Sequence, residues 1–344
     1  MTPACPTPRP AQDTILLGHG AGGLLTGELL RDVVLPALGV PADGALEDAA
    51  LLPGDSELAV TTDAFVVDPL FFPGGDIGSL AVHGTVNDLA MRGALPVALA
   101  LAVIAEEGLP VPDLRCVLQS AGKAARDIGV PVVTGDTKVV GRGAADRLFL
   151  TTTGIGRRIP GLTPSAVRAG PGDAILLSGP VGLHGITVLS ARAGLGFEAD
   201  IASDTQPLHR LVAALAPLGG HVHTLRDPTR GGLAAALNEI ARDAHVGVEI
   251  DEAALPVPRA VTAACDLLGL DPLVVANEGC LVAFVAPQAA DSALDALRAL
   301  PEGSEAVRIG TVEQAPADRV VARTMVGSRR IVDMPLGELL PRIC

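Results

Sequence analysis

The chain of 344 residues contains no tryptophan, no tyrosine and only six phenylalanines. Base recognition by stacking on Tyr or Trp is therefore excluded, and the cores must be built from Leu, Val, Ile and Ala. Lysine is nearly as scarce, at Lys123 and Lys138 alone. Basic residues number 25 against 39 acidic ones, a formal net charge of −14. Such a chain repels nucleic acid and anionic membrane surfaces, both of which call for a cationic field. A nucleotide is still compatible, because backbone N–H groups and carboxylate-bound metal ions can hold its phosphates. The five cysteines include no C-x-x-C pair, which excludes a zinc ribbon or a thioredoxin-like site. Their odd number and irregular spacing match a reducing compartment. The longest strongly apolar run, Leu95–Ala105, falls well short of the ~20 residues of a membrane span. The opening MTPACPTPRPAQD has neither an apolar signal core nor a basic leader. The expectation is a cytoplasmic protein with no membrane and no nucleic-acid partner.

What is present is enough apolar material, 49% of the chain, for two cores. The length is about twice a usual single domain of ~150 residues. Residues 1–13 are Pro-rich and read as a disordered leader. Strands are expected at 14–17, 58–62, 97–104, 130–134 and 148–153, and helices at 24–38, 78–92 and 113–128. Composition turns to Pro, Gly, Arg and Ser around 157–172, the best linker candidate. A second alternation follows: strands at 174–178, 246–250 and 281–285, with helices at 185–193, 208–218, 231–244, 259–268 and 289–300. This is an α/β (α+β) layout of two domains, 14–160 and 161–328, ending in a mobile tail, 329–344. At ~3.4 Å per extended residue that tail spans about 50 Å, enough to reach a distant cleft.

Several motifs carry possible chemistry. Gly18-His19-Gly20-Ala21-Gly22-Gly23 lies between a strand and a helix, where glycines admit a phosphate to a helix N-terminus. A flexible loop in a chain of 40 glycines is the competing reading. No G-x-x-x-x-G-K-[ST] occurs, so a P-loop is excluded. Asp63, Asp88 (in Asn87-Asp88), Asp136 and Asp227 stand at strand ends and helix starts. Mg²⁺ favours such carboxylates together with substrate phosphates. Helix capping explains each of them singly; together, beside glycines, they point to metal. Lys138 follows Gly-Asp-Thr in a chain that otherwise uses Arg. It is a phosphate-contacting amine, a base if desolvated, or a solvated surface residue. Asn277-Glu278-Gly279 reads as a polar turn. Cys344 is a thiol at the end of the tail, a nucleophile able to visit more than one site.

Together, LLGHGAGG, the run from Thr61 to Ala94, EEGLP, VTGDTKVVGRGAADRLF, RDPTRGG, ANEG and PRIC resemble the HypE family of hydrogenase maturation proteins. The resemblance runs from about Ile15 to Cys344. It implies a two-domain aminoimidazole ribonucleotide synthetase-like fold with a flexible C-terminal tail, and a homodimer using ATP and Mg²⁺. The implied activity is dehydration of a carbamoyl group carried on Cys344 to a thiocyanate. The carbamoyl group comes from the carbamoyltransferase HypF, and the cyano group goes to a HypC–HypD complex. By the same resemblance, Asp63, Asp88 and Asp227 match metal carboxylates. Gly20, Gly22, Gly23, Asn87 and Asp136 match nucleotide positions, and Glu278 and Lys138 lie by the reacting group. The family commonly has Gly-Asp-His-Gly where this chain has Gly182-Leu183-His184-Gly185. The alternatives are another enzyme of the superfamily, selenophosphate synthetase-like or a small-molecule kinase, and a non-catalytic nucleotide-binding scaffold.

Overall fold

The computed structural model describes residues 23–34, 47–52, 57–192, 201–337 and 342–344. The leader, the strand expected at 14–17, and Gly20 and Gly22 lie outside them. Two sheets organise the chain. The first half runs α1 (Leu24–Leu29), β1 (Ala50–Leu52), β2 (Leu58–Phe65), the small hairpin β3 (Phe71–Phe72) and β4 (Gly75–Asp76), and α2 (Ile77–Met91). It continues with β5 (Ala94–Glu106), α3 (Val111–Ile128), β6 (Val132–Val140) and β7 (Leu148–Arg158). The five-stranded sheet has the order β1-β2-β7-β5-β6. Only β5–β6 is parallel, with α3 as the crossover.

Helix α2 starts where Asp76 and Ser79 close a capping box, the Asp76 carboxylate accepting the amides of Gly78 and Ser79. Strand β7 alternates as a period of two demands, burying Leu148, Leu150, Thr152, Gly154 and Gly156. The glycines let α2 lie close, since a Cβ at Gly154 would stand 2.7 Å from Thr85. The edge strand β6 is exposed over nearly its whole length, including Val132, Val133 and Val139.

The second half runs β8 (Ala174–Leu177), α4 (Leu183–Ala191), α5 (His209–Leu215), β9 (Val222–Arg226), α6 (Gly232–Ala244) and β10 (Gly247–Asp251). Then come α7 (Arg259–Leu268), β11 (Val282–Val285), α8 (Ala290–Arg298), β12 (Val307–Glu313), β13 (Arg319–Arg323) and β14 (Arg329–Ile331). The seven-stranded sheet has the order β14-β13-β10-β12-β8-β11-β9. All residues of β8 and β11 are buried, because both faces of the sheet are covered. Leu233, Leu237 and Ile240 of α6 pack on one face. Leu211 and Leu215 of α5 and Leu297 of α8 pack on the other.

A third cluster joins the halves: Phe65, Phe72 and Ile77 from the first meet Ile186, Val261 and Val275 from the second, with Ile343 among them. The sequence reading found β2, β5, β7, β8, β10 and β11 but not β9, β12 or β13. Arg329–Ile331, read as part of the tail, pairs with β13 as β14. Among the described residues no helix is long and apolar enough to cross a membrane.

Candidate active site

Where the two halves meet, a cleft of about 350 Å³ opens, lined by Asp48, Asp63, Asp88, Asp227, Arg226 and Arg230 among others. Each acid arrives on a different element. Asp48 precedes β1, Asp63 lies on β2, Asp88 on α2, and Asp227 just past β9. Carboxylate oxygens of Asp48, Asp88 and Asp227 lie within 4.8 Å of one another. Asp63 lines the same cleft beside them and accepts a hydrogen bond from Thr85 Oγ1 at 3.2 Å. Thr61 Oγ1 stands 2.6 Å from Asp88 Oδ2 and 3.0 Å from the Asp48 carbonyl, tying β2 to both acids.

So many carboxylates in one place resist ionisation. Burial, aided by Glu239 and Glu47, pushes Asp48 up to about 6 against the pull of Arg226. Burial and Asp48 push Asp227 up to about 7. Asp88 is held well above the carboxylate range by burial and by Asp63, Asp227 and Asp48. Asp63 is raised too, chiefly by burial. Arg226 sits against the set, with its Nε 3.1 Å from Asp48 and Nη2 2.7 Å from Glu239. Burial disfavours its charge, but the surrounding acids outweigh that and keep the guanidinium charged.

A crowded set of oxygen ligands, with Asp227 buried and Asp48 and Asp88 half-buried, fits a hard divalent cation such as Mg²⁺. Asp48, Asp88 and Asp227 are the residues that would hold it. The sequence reading missed Asp48, which there is only the second acid of Glu47-Asp48, with no glycine or strand end to mark it.

The tail tip enters the same junction. Residues 342–344 lie along 66–68: Val66 N–H donates to the Cys344 carbonyl (3.2 Å) and Asp68 N–H to that of Arg342 (3.1 Å). Arg192 Nη2 donates to the Arg342 carbonyl at 2.5 Å. The Arg342 guanidinium pairs with Asp146. Ile343 is 4% exposed, and Cys344 packs against the same apolar cluster. Arg230 links tail and cleft, its charge favoured first by Cys344 and then, against burial, by Glu278, Asp63 and Asp88.

Glu278 is buried beside them, and its Oε1 has no hydrogen-bond partner among the described residues. Burial, Asp227 and Asp204 hold it well above the ordinary carboxylate range, opposed by Arg230. Its backbone is clamped: the Glu278 and Gly279 amides donate to the Asp204 carboxylate at 3.2 and 2.9 Å. Asn87 is buried and faces backbone. Its Nδ2 donates to the Gln206 carbonyl (3.1 Å) and its Oδ1 accepts Leu208 N–H (2.8 Å). Gly23 lines the cleft, and a Cβ there would meet the Pro335 carbonyl at 2.3 Å. Asp136 and Lys138 are not in the cleft. They pair with each other at 2.8 Å on exposed β6.

Residues 46–158 match the family described as AIR synthase related protein, N-terminal domain, and residues 170–323 match its C-terminal domain. The carbamoyl dehydratase HypE of Azotobacter vinelandii is 53% identical over 95% of this chain and 96% of its own length. The chain belongs to the HypE family. Two solved HypE structures show the same architecture. One, a HypE–HypF complex, is 46% identical with a TM-score of 0.84, over 89% of this chain and 99% of that one. The other, HypE in complex with ATP, is 50% identical with a TM-score of 0.81, over 96% and 100%. The HypE family's two-domain, aminoimidazole ribonucleotide synthetase-like fold is thus the fold of this chain.

Proposed function

We propose that this chain is an ATP-dependent carbamoyl dehydratase that converts a carbamoyl group on the Cys344 thiol to a thiocyanate. The observation that carries the reading is the docked tail. Cys344, Glu278, Arg230 and the acidic cleft share one electrostatic neighbourhood. Membership of a family of carbamoyl dehydratases, one of them solved with ATP, supports it.

The bond changes balance with one ATP. The amide oxygen of Cys–S–C(=O)–NH₂ attacks the γ-phosphorus and ADP departs. The amide oxygen then leaves as phosphate while the nitrogen gives up both protons, forming Cys–S–C≡N. Glu278 takes one proton from that nitrogen, and the other departs on the leaving phosphate. Its orphaned Oε1 is a free acceptor, and a carboxylate whose proton affinity is raised by burial is the stronger base once ionised. Arg230, charged and beside both Cys344 and Glu278, supports the negative charge that develops on the phosphorylated oxygen. A divalent cation on Asp48, Asp88 and Asp227 would supply charge neutralisation to the phosphates. Gly20, Gly22 and Gly23 are assigned to nucleotide binding. Asn87 contributes by fixing the 206–208 segment and the Glu278 carbonyl.

Lys138 and Asp136 stand apart from the cleft of their own chain. The exposed apolar residues Val132, Val133 and Val139 lie on the same open edge strand, a surface suited to a second copy. We assign them to a homodimer in which Lys138 and Asp136 serve the partner's reacting group and nucleotide. HypF is the carbamoyl donor and a HypC–HypD complex the cyano acceptor, in the cytoplasm. Intact-mass analysis of carbamoylated protein tests the core of this reading. Addition of ATP and Mg²⁺ should remove the mass of one water from the Cys344 adduct. A stable adduct in the presence of both would refute it.

A further inference from the structure

The Gly182-Leu183-His184-Gly185 motif has no part in the chemistry above, yet it lies against the tail. His184, in the first turn of α4, is completely buried. Its Nε2 is 2.5 Å from the Ile343 carbonyl and its Nδ1 2.7 Å from Ser203 Oγ. A carbonyl only accepts, so Nε2 carries the proton and Nδ1 accepts from the serine hydroxyl. Ser203 Oγ in turn accepts Thr205 N–H at 3.1 Å. The ring stands edge-on to Phe72, with centroids 5.4 Å apart. Ser203 and Phe72, both outside the tail, set the ring plane, and the Ile343 carbonyl selects the Nε2–H tautomer.

The frame that carries His184 is also the frame that carries Glu278. At the start of α4, Gly182 N–H donates to Asn277 Oδ1 (2.6 Å) and Gly185 N–H to the Ala276 carbonyl (3.0 Å). Those acceptors belong to the two residues immediately before Glu278. Gly182 has φ +87°, a left-handed turn that brings its amide to Asn277. From the other side, Ser203 holds the ring while its neighbour Asp204 holds the amides of Glu278 and Gly279.

We propose that His184 is a positioning residue: by donating Nε2–H to the Ile343 carbonyl it holds Cys344 in place relative to Glu278, with which it shares one rigid frame. This rests on the dehydratase reading for its purpose but not for its geometry. Burial lowers the ring's pKa to about 4, so it is neutral near pH 7, with its single proton on the nitrogen that faces the Ile343 carbonyl. Leu183, next to the histidine, packs on the apolar cluster that holds Ile343.

The test uses the full-length protein and measures the rate at which N-ethylmaleimide alkylates Cys344, resolved from exposed Cys116 by peptide mass. His184→Ala should speed alkylation about tenfold, the effect of one lost buried hydrogen bond. His184→Gln, whose Nε2–H₂ restores a donor, should return the rate to within about threefold of the unmutated protein. In single turnover of the carbamoylated protein, His184→Ala should slow loss of water about tenfold, leave ATP affinity unchanged, and be rescued by Gln. An unchanged alkylation rate in His184→Ala overturns the proposal. If His184→Ala does not fold, Ser203→Ala, which frees the ring from its outer partner, should raise alkylation about threefold, and no change there overturns it equally. Faster alkylation with no dehydration even in the unmutated protein would leave the tail contact standing and sink the enzymatic reading instead.

Discussion

Asp48, Asp63, Asp88 and Asp227 come together without enough positive charge beside them, and the cost shows in their raised proton affinities. An acid whose affinity is raised on folding binds more protons folded than unfolded, so stability falls as pH rises through its folded pKa. With Asp48 raised from 3.8 to about 6 and Asp227 from 3.8 to about 7, the cation-free protein should lose melting temperature as pH rises from about 4 to about 7 and level off above that. Mg²⁺ should restore it most at the upper end, where the set is ionised. Asp48→Asn should flatten that pH dependence and weaken Mg·ATP binding about tenfold or more, as loss of one charged ligand does. Thermal melts across this window, with and without Mg²⁺, check both. Equal Mg²⁺ protection of Asp48→Asn and the unmutated protein would return Asp48 to a purely structural part. Glu278→Gln should accept the carbamoyl group and bind ATP, yet keep the adduct's mass. A glutamine variant that loses water at the unmutated rate would remove Glu278 from proton transfer.

Two elements show how local sequence places these residues. Helix α2 delivers Thr85, Asn87 and Asp88 from a single capped start, so loosening the cap should cost stability before it costs chemistry. Asp76→Ala should lower stability by ~1 kcal/mol, measured by urea titration, with ATP affinity unchanged once folded. The turn holding Glu278 tolerates less. A Cβ on Gly279 would lie 1.7 Å from the Asp204 carbonyl, so Gly279→Ala must push the 203–206 segment away. The expected outcome is loss of dehydration with ATP binding largely retained, read by single-turnover mass spectrometry and calorimetry. Dehydration at the normal rate would mean that the Asp204 clamp does not aim Glu278.

At the scale of the molecule, the cleft exists because the two sheets share the cluster of Phe65, Phe72, Ile186, Val261 and Val275, with Ile343 completing it. The homodimer proposed through the exposed β6 edge is testable through Lys138. Mixed dimers of Lys138→Ala and Cys344→Ala chains separate the two arrangements. If Lys138 acts across the dimer, the chain bearing Cys344 is served by the partner's intact Lys138 and retains activity. If Lys138 acts within its own chain, the mixture is as inactive as either variant alone. Sedimentation at micromolar concentration should show a dimer for the unmutated chain, and a monomer would exclude the across-dimer role altogether.

Sequence alone determined the two-layer alternation, because periodicity and turn residues act over a few positions and leave their mark locally. It also marked Asp63, Asp88 and Asp227, which stand beside glycines, strand ends or helix starts, and Cys344. The family motifs carried Glu278, which its local pattern left as a polar turn. The short strands β9, β12 and β13 escaped because their residues are polar or interrupted and gain strand character only from paired neighbours. Asp48, Asp204, Arg230 and His184 escaped for a related reason. Nothing within a few residues distinguishes an acid that meets another across the cleft from one on a surface, or a histidine that meets the tail from one in a core. Only the tertiary structure decided these, because burial and charge–charge repulsion depend on distances in space that chain separation does not encode. It alone seated Ile343 under His184 and left Lys138 outside the cleft of its own chain.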